Sequence, residues 1–209
     1  MNGRDKSGFI TLEGIEGVGK STHVEFIANF FQDKGFEVCV TREPGGTRLG
    51  EAVREILLHG NDLNITAPTE LLLMFSARYQ HIQEVILPAL DSGEIVICDR
   101  FTDASYAYQG GGRGIAPSEI ETMEAWVQKG LKPDLTLLFD AAVATGFERL
   151  AARGKKDRFE QEDIEFFETI RQAYLDRAKN EPNRIRIVDA EQTIVDVQGQ
   201  IINILESVY

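Results

Sequence analysis

The chain has 209 residues, of which 43% are hydrophobic and 27% charged, and its formal net charge is −12 at pH 7. This length allows one well-filled core and is short for two, so we expect a single domain over residues 1–209. The negative charge repels polyanions at long range, which argues against nucleic acid or an anionic membrane as the main partner. Small phosphates are compatible with this charge, because arginines are grouped at 42–54, 100–113 and 149–158.

The sequence predicts a cytoplasmic protein. It holds no run of 18 apolar residues, and its first seven residues lack the apolar centre of a signal peptide. Cys39 and Cys98 lie in apolar runs and have neither metal-site nor C-x-x-C spacing. We therefore expect both to be buried, reduced thiols.

Five short apolar runs indicate β-strands, and longer segments with helical spacing separate them. The runs cover residues 9–12, 38–40, 95–98, 135–139 and 185–188. This alternation predicts an α/β fold with a five-stranded parallel sheet flanked by helices on both faces. Two helical stripes are expected to be core, one at 164, 167, 170, 174 and 178, the other at 194, 197, 201, 205 and 208. Ligands of such sheets bind at the carboxyl ends of the strands.

The first strand run leads into a phosphate-binding loop. Residues 14–21 read G-I-E-G-V-G-K-S and match the pattern G-x-x-x-x-G-K-[ST]. In this pattern backbone N–H groups surround phosphate oxygens, the lysine reaches the outer phosphates, and the hydroxyl holds Mg²⁺. The N-terminus of the following helix adds partial positive charge. The predicted nucleoside triphosphate site consists of Gly14, Ile15, Glu16, Gly17, Val18, Gly19, Lys20, Ser21 and Thr22.

The third strand run ends in Asp99, which we interpret as a carboxylate at the metal together with Ser21. An aspartate that only caps the next helix is the structural alternative. Motor-type ATPases have a glutamate after such an aspartate, but here Arg100 follows Asp99 and an alanine follows Asp140. The guanine motif N-K-x-D is absent from the sequence. These features favour phosphoryl transfer to a second bound molecule over hydrolysis or a GTPase switch.

The residues near the loop indicate that this second molecule carries a phosphate. Arg100 offers a fork-shaped guanidinium suited to a bidentate grip on an acceptor phosphate. Glu16 would be repelled by the triphosphate, so we expect it to turn outward and accept hydrogen bonds from a neutral group such as a sugar hydroxyl. A glutamate that is only solvated is the alternative.

A mixed-charge segment at about residues 149–162 interrupts two helical patterns with a glycine and predicts a small lid. Arg149 and Arg153 are four residues apart and share a helical face, and Arg158 follows the glycine. Cations brought in by a lid stabilise the charged transition state of phosphoryl transfer. A solvated basic helix end is the alternative. The predicted catalytic residues are Lys20, Arg100, Arg149, Arg153 and Arg158.

Several motifs together resemble bacterial thymidylate kinases, in order and in spacing. They are the loop at 14–21, T-R-E-P-G-G-T at 41–47, D-R-F at 99–101, Y-Q-G-G-G-R-G at 108–114, P-D-L-T at 133–136 and D-R at 157–158. The resemblance covers essentially the whole chain. Some family members have a basic residue in the phosphate loop where this chain has Gly17. The resemblance is therefore to the type of thymidylate kinase whose lid supplies the arginines. It implies an ATP:dTMP phosphotransferase that uses Mg²⁺ and makes dTDP in dTTP biosynthesis. It also implies a homodimer with the P-loop nucleoside monophosphate kinase fold.

The resemblance implies roles for residues at the phosphate and sugar end of dTMP. Arg100 and Arg54 would hold the acceptor phosphate, and Glu43 and Pro44 would shape that pocket. Glu16 would face the 3′-hydroxyl of the acceptor.

At the base end, the resemblance implies that Arg78 donates to the thymine edge with the help of Ser105 and Gln109. Tyr108 would crowd the sugar 2′ position and favour deoxyribose.

One position departs from the family pattern. Family members often have a phenylalanine four residues before the thymine-binding arginine, whereas this chain has Met74 there, followed by Phe75. We expect one of these two residues to cover the base. Met74 is suitable as well as Phe75, since a thioether also packs well on an aromatic face. Two alternatives to the thymidylate kinase remain: another nucleotide kinase on the same fold, and a non-enzymatic nucleotide-binding module.

Overall fold

The computed structural model describes residues 7–60, 63–151 and 157–209, and its centre is a five-stranded parallel sheet. The strands are β1 (Gly8–Glu13), β2 (Val38–Arg42), β3 (Ile95–Asp99), β4 (Leu135–Asp140) and β5 (Ile185–Asp189). Their order across the sheet is β2-β3-β1-β4-β5. Each predicted apolar run lies within one of these strands, so the predicted sheet is confirmed.

Helices connect the strands. They are α1 (Lys20–Asp33), α2 (Arg48–His59), α3 (Ala67–His81), α4 (Leu87–Asp91), α5 (Thr102–Ser105), α6 (Pro117–Gln128), α7 (Val143–Ala151), α8 (Ile164–Asn180) and α9 (Ile194–Val208). Two π-helical segments, Ile82–Ile86 and Tyr106–Gly112, continue α3 and α5. Within the described ranges, none of the helices combines the length and the apolar composition that crossing a membrane requires.

Alternate residues of the central strands supply two hydrophobic clusters. Ile10 and Leu12 of β1 pack in a cluster with residues of α1, α8 and α9. Phe9 of β1 and Cys98 of β3 pack in a second cluster with residues of α3 and α6. Because successive side chains of a strand point to opposite faces, these clusters lie on the two faces of the sheet, and helices cover both.

The two predicted helical stripes are buried over their central turns only. In α8 the stripe residues from Phe167 to Ala178 are buried, and in α9 the stripe residues from Val197 to Leu205 are buried. Ile164, Ile194 and Val208 are exposed, and each is the first or last residue of its helix.

The two cysteines differ in burial. Cys98 is fully buried as predicted, Cys39 is partly buried, and both are free thiols.

The strand register brings the polar strand ends to one level. Leu12 of β1 is paired with Asp99 of β3, and Arg42 of β2 is paired with the same residue. On the other side of β1, Asp140 of β4 is paired with Asp189 of β5. The carboxyl ends therefore form a common edge at which residues distant in sequence meet.

Candidate active site

The phosphate-binding loop between β1 and α1 depends on glycines for its shape. Gly14, Gly17 and Gly19 have φ angles of +132°, +76° and +93°, which glycine adopts most easily. A Cβ atom on Gly17 would lie 2.2 Å from the carbonyl oxygen of Gly146 in α7. A Cβ atom on Gly14 would lie 2.3 Å from the carbonyl oxygen of Phe139 in β4. Neither position accepts a side chain unless the neighbouring backbone moves.

The side chain of Lys20 is buried against this loop. Its Nζ atom donates hydrogen bonds to the carbonyl oxygens of Gly14, at 2.8 Å, and Ile15, at 2.7 Å. Burial, helped by the positive charge of Arg100, lowers the pKa of Lys20 to about 8. A partly desolvated cation in this place is suited to a strongly charged anion such as a phosphate.

A cavity of about 200 Å³ lies next to the loop, and the structure brings many of the predicted site residues to its wall. The predicted residues that line it are Glu16, Gly17, Gly19, Lys20, Ser21, Glu43, Pro44, Arg54, Met74, Arg78, Asp99, Arg100, Ser105, Tyr108 and Gln109. These residues come from the phosphate loop, the loop after β2, α2, α3, the end of β3 and the segment after it. Phe159, which lies in the predicted lid, lines another part of the wall.

Arg100 and Glu16 meet at the end of the cavity near the loop. The Arg100 Nη2 atom donates to Glu16 Oε1 at 3.0 Å, and its Nη1 atom donates to the carbonyl oxygen of Gly14 at 2.9 Å. Tyr108 donates its hydroxyl to Glu16 Oε2 at 2.6 Å. Glu16 thus accepts hydrogen bonds from the charged guanidinium of Arg100 as well as from the hydroxyl of Tyr108. Arg100 has a φ of +70°, a left-handed conformation that is costly for arginine and is found mostly at functional sites.

Arg54 provides a second guanidinium at the cavity wall. Its Nη1 atom donates to the carbonyl oxygen of Pro44 at 2.9 Å, which joins α2 to the loop after β2. Arg54 and Arg100 both line the cavity. Two guanidinium groups in one small cavity favour a doubly charged anion such as a monoester phosphate.

The other end of the cavity is organised around Arg78, which is only 2% exposed. Its Nε atom donates to Glu43 Oε2 at 2.7 Å, its Nη1 atom to Ser105 Oγ at 3.1 Å, and its Nη2 atom to the carbonyl oxygen of Phe101 at 3.0 Å. Glu43 also bonds to Nδ1 of the fully buried His81 at 2.9 Å. These contacts use three of the five N–H donors of Arg78 and fix the plane of its guanidinium.

Met74 and Phe75 occupy different environments. Met74 lines the cavity. Phe75 is fully buried in the second hydrophobic cluster, and the Arg78 guanidinium lies over its ring at 4.6 Å. Met74 is thus the residue of this pair that borders the space for a ligand, and Phe75 supports the arginine from behind.

Other predicted site residues lie outside the cavity wall. Ile15 and Val18 are buried in the core, and Gly14 and Thr22 do not line the cavity. Both terminal nitrogens of Arg149 donate to the carbonyl oxygen of Ala190 at 3.1 Å.

The other two arginines of the predicted lid are Arg153 and Arg158. Arg158 donates from Nε to the carbonyl oxygen of Leu57 and from Nη2 to Glu70. Arg153 lies outside the described residues. The predicted catalytic role of the lid arginines stays a prediction.

Two residues near Arg100 were not singled out as site residues from the sequence. Glu13 is fully buried and accepts hydrogen bonds from the Phe101 backbone N–H and the Tyr174 hydroxyl, both at 2.7 Å. The Tyr174 hydroxyl also accepts from Arg100 Nη1 at 3.2 Å. Burial raises the pKa of Glu13 to about 7, and the negative charge of Asp103 adds to this effect. Two sequence signals were available: an acidic residue directly before the phosphate loop, and one hydroxyl in the apolar stripe of α8.

Asp99 and Ser21, the two predicted magnesium ligands, both line the cavity. The Oδ1 atom of Asp99 is buried and has no hydrogen-bond partner among the described residues. Ser21 lines the same cavity. The described part of the chain holds no cluster of three or more His, Cys, Asp or Glu side chains suited to a metal. Mg²⁺ commonly takes one or two protein ligands and completes its shell with water and substrate phosphates, so this pair of residues fits the ion.

The sheet order, the phosphate loop and the adjoining cavity with its three arginines define a P-loop phosphotransferase of the nucleoside monophosphate kinase class. The thymidylate kinase family model matches residues 12–201. A thymidylate kinase from Pseudomonas syringae pv. tomato is 56% identical over 197 residues, covering 94% of each chain. One from Thiobacillus denitrificans is 58% identical, covering 95% of this chain and 96% of the relative.

Solved structures agree with these sequence relatives. The crystal structure of thymidylate kinase from Ehrlichia chaffeensis matches with a TM-score of 0.78 and 33% identity, covering 96% of this chain and 98% of that one. The chain belongs to the thymidylate kinase family.

The close approach at Gly17 yields a prediction. In Gly17→Ala the new methyl group would meet the backbone of Gly146 in α7. The alanine would also have to adopt a positive φ angle, which is unfavourable for it. Gly35→Ala is the matched control, because Gly35 has a φ of +86° and open space around its Cβ position. The free energy of unfolding should fall by about 1–2 kcal/mol in both variants, because alanine is unfavourable in this backbone conformation. In urea unfolding, the free energy of unfolding should fall more in Gly17→Ala than in Gly35→Ala. The turnover of Gly17→Ala should also fall. Equal losses in the two variants would contradict the role given to this contact.

A second prediction concerns Glu13 and pH. The unfolded chain releases the proton of this carboxyl near its ordinary pKa of 4.5, whereas the folded chain retains it to about pH 7. The folded state therefore binds more protons between these values, and its stability falls as the pH rises through that range. Glu13→Gln should remove this contribution, so the wild type should lose stability relative to the variant between pH 4.5 and 7. Urea unfolding at several pH values measures the difference, and Glu25→Gln, at an exposed position of α1, should run parallel to the wild type.

Proposed function

We propose that this member of the thymidylate kinase family transfers the γ-phosphoryl group of ATP directly to the phosphate of dTMP, with both nucleotides bound at the carboxyl edge of the sheet. The thymidylate kinase activity follows from family membership. The observation that carries the proposal is the cavity itself. It has the phosphate loop and two arginines at one end and a buried, donor-rich arginine at the other.

The end near the loop is suited to an acceptor phosphate. Arg54 and Arg100 supply two guanidiniums, and Glu16 supplies a carboxylate that a sugar hydroxyl can reach. The carboxylate of Glu16 restricts where an anion can bind beside the two arginines, because a phosphate placed against Glu16 is repelled. This arrangement supports a monophosphate attached to a sugar beside Glu16, with the triphosphate of the donor at the phosphate loop.

The far end is suited to a base with a carbonyl group. Arg78 carries only N–H donors, so a group that binds it must be an acceptor. Ser105 and Gln109 add polar groups beside it, and Met74 offers a polarizable surface for the face of a ring. This combination supports thymine as the base.

The mechanism is an in-line transfer without a covalent enzyme intermediate. The acceptor phosphate is already anionic near neutral pH, so the protein supplies position and positive charge and needs no strong general base. Lys20 holds the donor phosphates, and Arg100 orients the acceptor oxygen toward them. Ser21 and Asp99 would hold Mg²⁺, which when bound neutralises charge on the donor phosphates. Phe159 and the adjoining lid residues exclude water from the cavity.

Two further properties belong to this proposal. The protein forms a homodimer, which is supported by the family resemblance and by exposed apolar residues such as Leu49 and Ile56 of α2 and Leu72 of α3. It acts in the cytoplasm, where its two free thiols stay reduced. The whole chain forms one domain, with the lid at about 149–162 as part of it.

The acceptor preference tests the proposed function. ADP formation from ATP and Mg²⁺ would be followed in a coupled assay with dTMP, dUMP, dCMP, AMP and GMP as acceptors. We expect a strong preference for dTMP. A preference for a different monophosphate would indicate another nucleotide kinase on this fold, and ADP formation that no acceptor stimulates would indicate a nucleotide-binding module.

The role of Arg100 is tested separately. Arg100→Met removes the guanidinium, and we expect kcat/KM for dTMP to fall by about 10² or more, the range seen when a preorganised charge donor is lost. Arg48→Met, at an exposed position of α2, removes an arginine outside the cavity and should leave kcat/KM unchanged. Circular dichroism of both variants checks the fold. A folded Arg100→Met enzyme with wild-type activity would refute the assignment.

A further inference from the structure

Glu70 is a buried carboxylate that the family motifs and the proposed mechanism leave without a role. It lies in the first turn of α3 and is 1% exposed. Its Oε1 atom accepts a hydrogen bond from Gln109 Nε2 at 2.9 Å and lies 3.5 Å from Arg113 Nε. Its Oε2 atom accepts from Arg158 Nη2 at 2.5 Å. A carboxylate this deeply buried is tolerated because arginines neutralise it.

Glu70 lies in α3, and its contacts connect this helix to two other parts of the acceptor site. Gln109 belongs to the π-helical segment that also carries Tyr108, and Arg158 belongs to the lid. The backbone N–H of Arg158 donates to the carbonyl oxygen of Leu58 at 3.0 Å, and its Nε atom donates to that of Leu57 at 2.7 Å. Arg158 therefore connects residues 157–162 of the predicted lid to both α2 and α3.

The contact with Glu70 also determines which way the Gln109 side chain faces. A carboxylate only accepts hydrogen bonds, so the amide nitrogen of Gln109 must face Glu70 and the amide oxygen must face elsewhere. Gln109, Arg78 and Ser105 all line the cavity. Arg78 donates to Ser105 Oγ at 3.1 Å, and Ser105 lies about one helical turn before Gln109 on the same helical stretch. The orientation of this one amide therefore decides whether a ligand meets an acceptor or a donor beside the Arg78 guanidinium.

A donor from Arg78 next to an acceptor from Gln109 matches one type of pyrimidine edge. Thymine and uracil present a carbonyl oxygen next to a ring N–H, an acceptor next to a donor. Cytosine presents an amino group next to an unprotonated ring nitrogen, which is the reverse pattern. With the Gln109 amide inverted, its N–H₂ group would meet the ring N–H of thymine and could instead bond the ring nitrogen of cytosine.

We propose that Glu70 is a positioning residue for base selection, which holds the Gln109 amide so that its oxygen accepts the ring N–H of the acceptor base. The inference rests on the proposed function and goes beyond it by placing the discrimination between imide bases and cytosine on a residue that lies behind the pocket wall. The same contact ties that orientation to the docked end of the lid through Arg158.

The substitution Glu70→Gln tests this role. An amide has one acceptor oxygen in place of two, and the Arg158 guanidinium competes with Gln109 for it. With that oxygen on Arg158, the new N–H₂ group faces Gln109 and permits the inverted amide. We expect the ratio of kcat/KM for dTMP to that for dCMP to fall about tenfold or more, the effect of one mismatched buried hydrogen bond. The ratio for dTMP to dUMP should stay the same, because these two bases have the same edge.

This pair of ratios separates a positioning role from a structural one. A merely structural loss would lower kcat/KM for all three acceptors alike and would leave both ratios unchanged. In a Gln109→Met background, which has no amide to orient, Glu70→Gln should no longer change the ratio of dTMP to dCMP. Glu84→Gln is the matched control on the exposed side of the same helical stretch and should leave both ratios at their wild-type values.

The outcomes are distinguishable from a failure of the proposed function. A wild-type enzyme that does not prefer dTMP would refute the proposed function before any variant is made. A wild type that prefers dTMP, together with a folded Glu70→Gln enzyme that keeps the full ratio of dTMP to dCMP, would overturn the role of Glu70 alone. If Glu70→Gln does not fold, Glu70→Asp keeps the charge and shortens the reach to Gln109, and it should lower the same ratio. An unchanged ratio in that variant would equally overturn the inference.

Discussion

Buried carboxylates are the constraint on which the acceptor site depends. Glu13, Glu43 and Glu70 are each at most 5% exposed. Burying a carboxyl group is costly unless it is hydrogen-bonded or paired, so each of them binds donors that would otherwise be free to move. Glu43 holds Arg78 directly, whereas Glu13 reaches Arg100 through the Tyr174 hydroxyl. The groups that face the ligand are therefore held from behind by buried carboxyl groups that do not themselves bind the ligand.

This arrangement reconciles the overall charge of the protein with its substrates. The chain carries a net charge of −12 and the cavity wall includes acidic residues, yet Arg100 lies close enough to Lys20 and Arg54 for the positive charges to interact there. Since screening limits charge effects to about 10 Å at ordinary ionic strength, the local cations and not the net charge decide what binds in the cavity. The buried carboxylates compensate part of the cationic charge and keep the arginines in fixed planes, as bidentate binding of a phosphate requires.

The backbone contributes equally to the shape of the site. The phosphate loop packs against α7 at the pair Gly17 and Gly146, so the loop and the helix that leads into the lid are in direct contact. A side chain at position 17 would meet the backbone of α7, so this contact requires a glycine there. On the acceptor side, Tyr108 and Gln109 lie in a π-helical segment, an irregular form of helix that is common at functional sites.

The sequence by itself determined the features that are local in the chain. The five strands follow from short apolar runs, and the phosphate loop follows from the spacing of glycines, lysine and serine within eight residues. The family was recognisable because its motifs are short and contiguous. Most of the residues that these motifs select do line one cavity, because parallel strands bring their carboxyl ends to a common edge.

The tertiary structure alone decided which side chains support the site. Glu13 and Tyr174 are 161 residues apart, and Gln109 and Glu70 are 39 apart, so no spacing rule connects either pair. Only the packing of α3 shows that Met74 borders the cavity and Phe75 lies in the core. The lid arginine Arg158 is likewise indistinguishable in sequence from a phosphate ligand, and the fold holds it against Leu57 and Glu70. The physical reason is the same in each case: a side chain is oriented by its neighbours in space, and these are known only once the chain is folded.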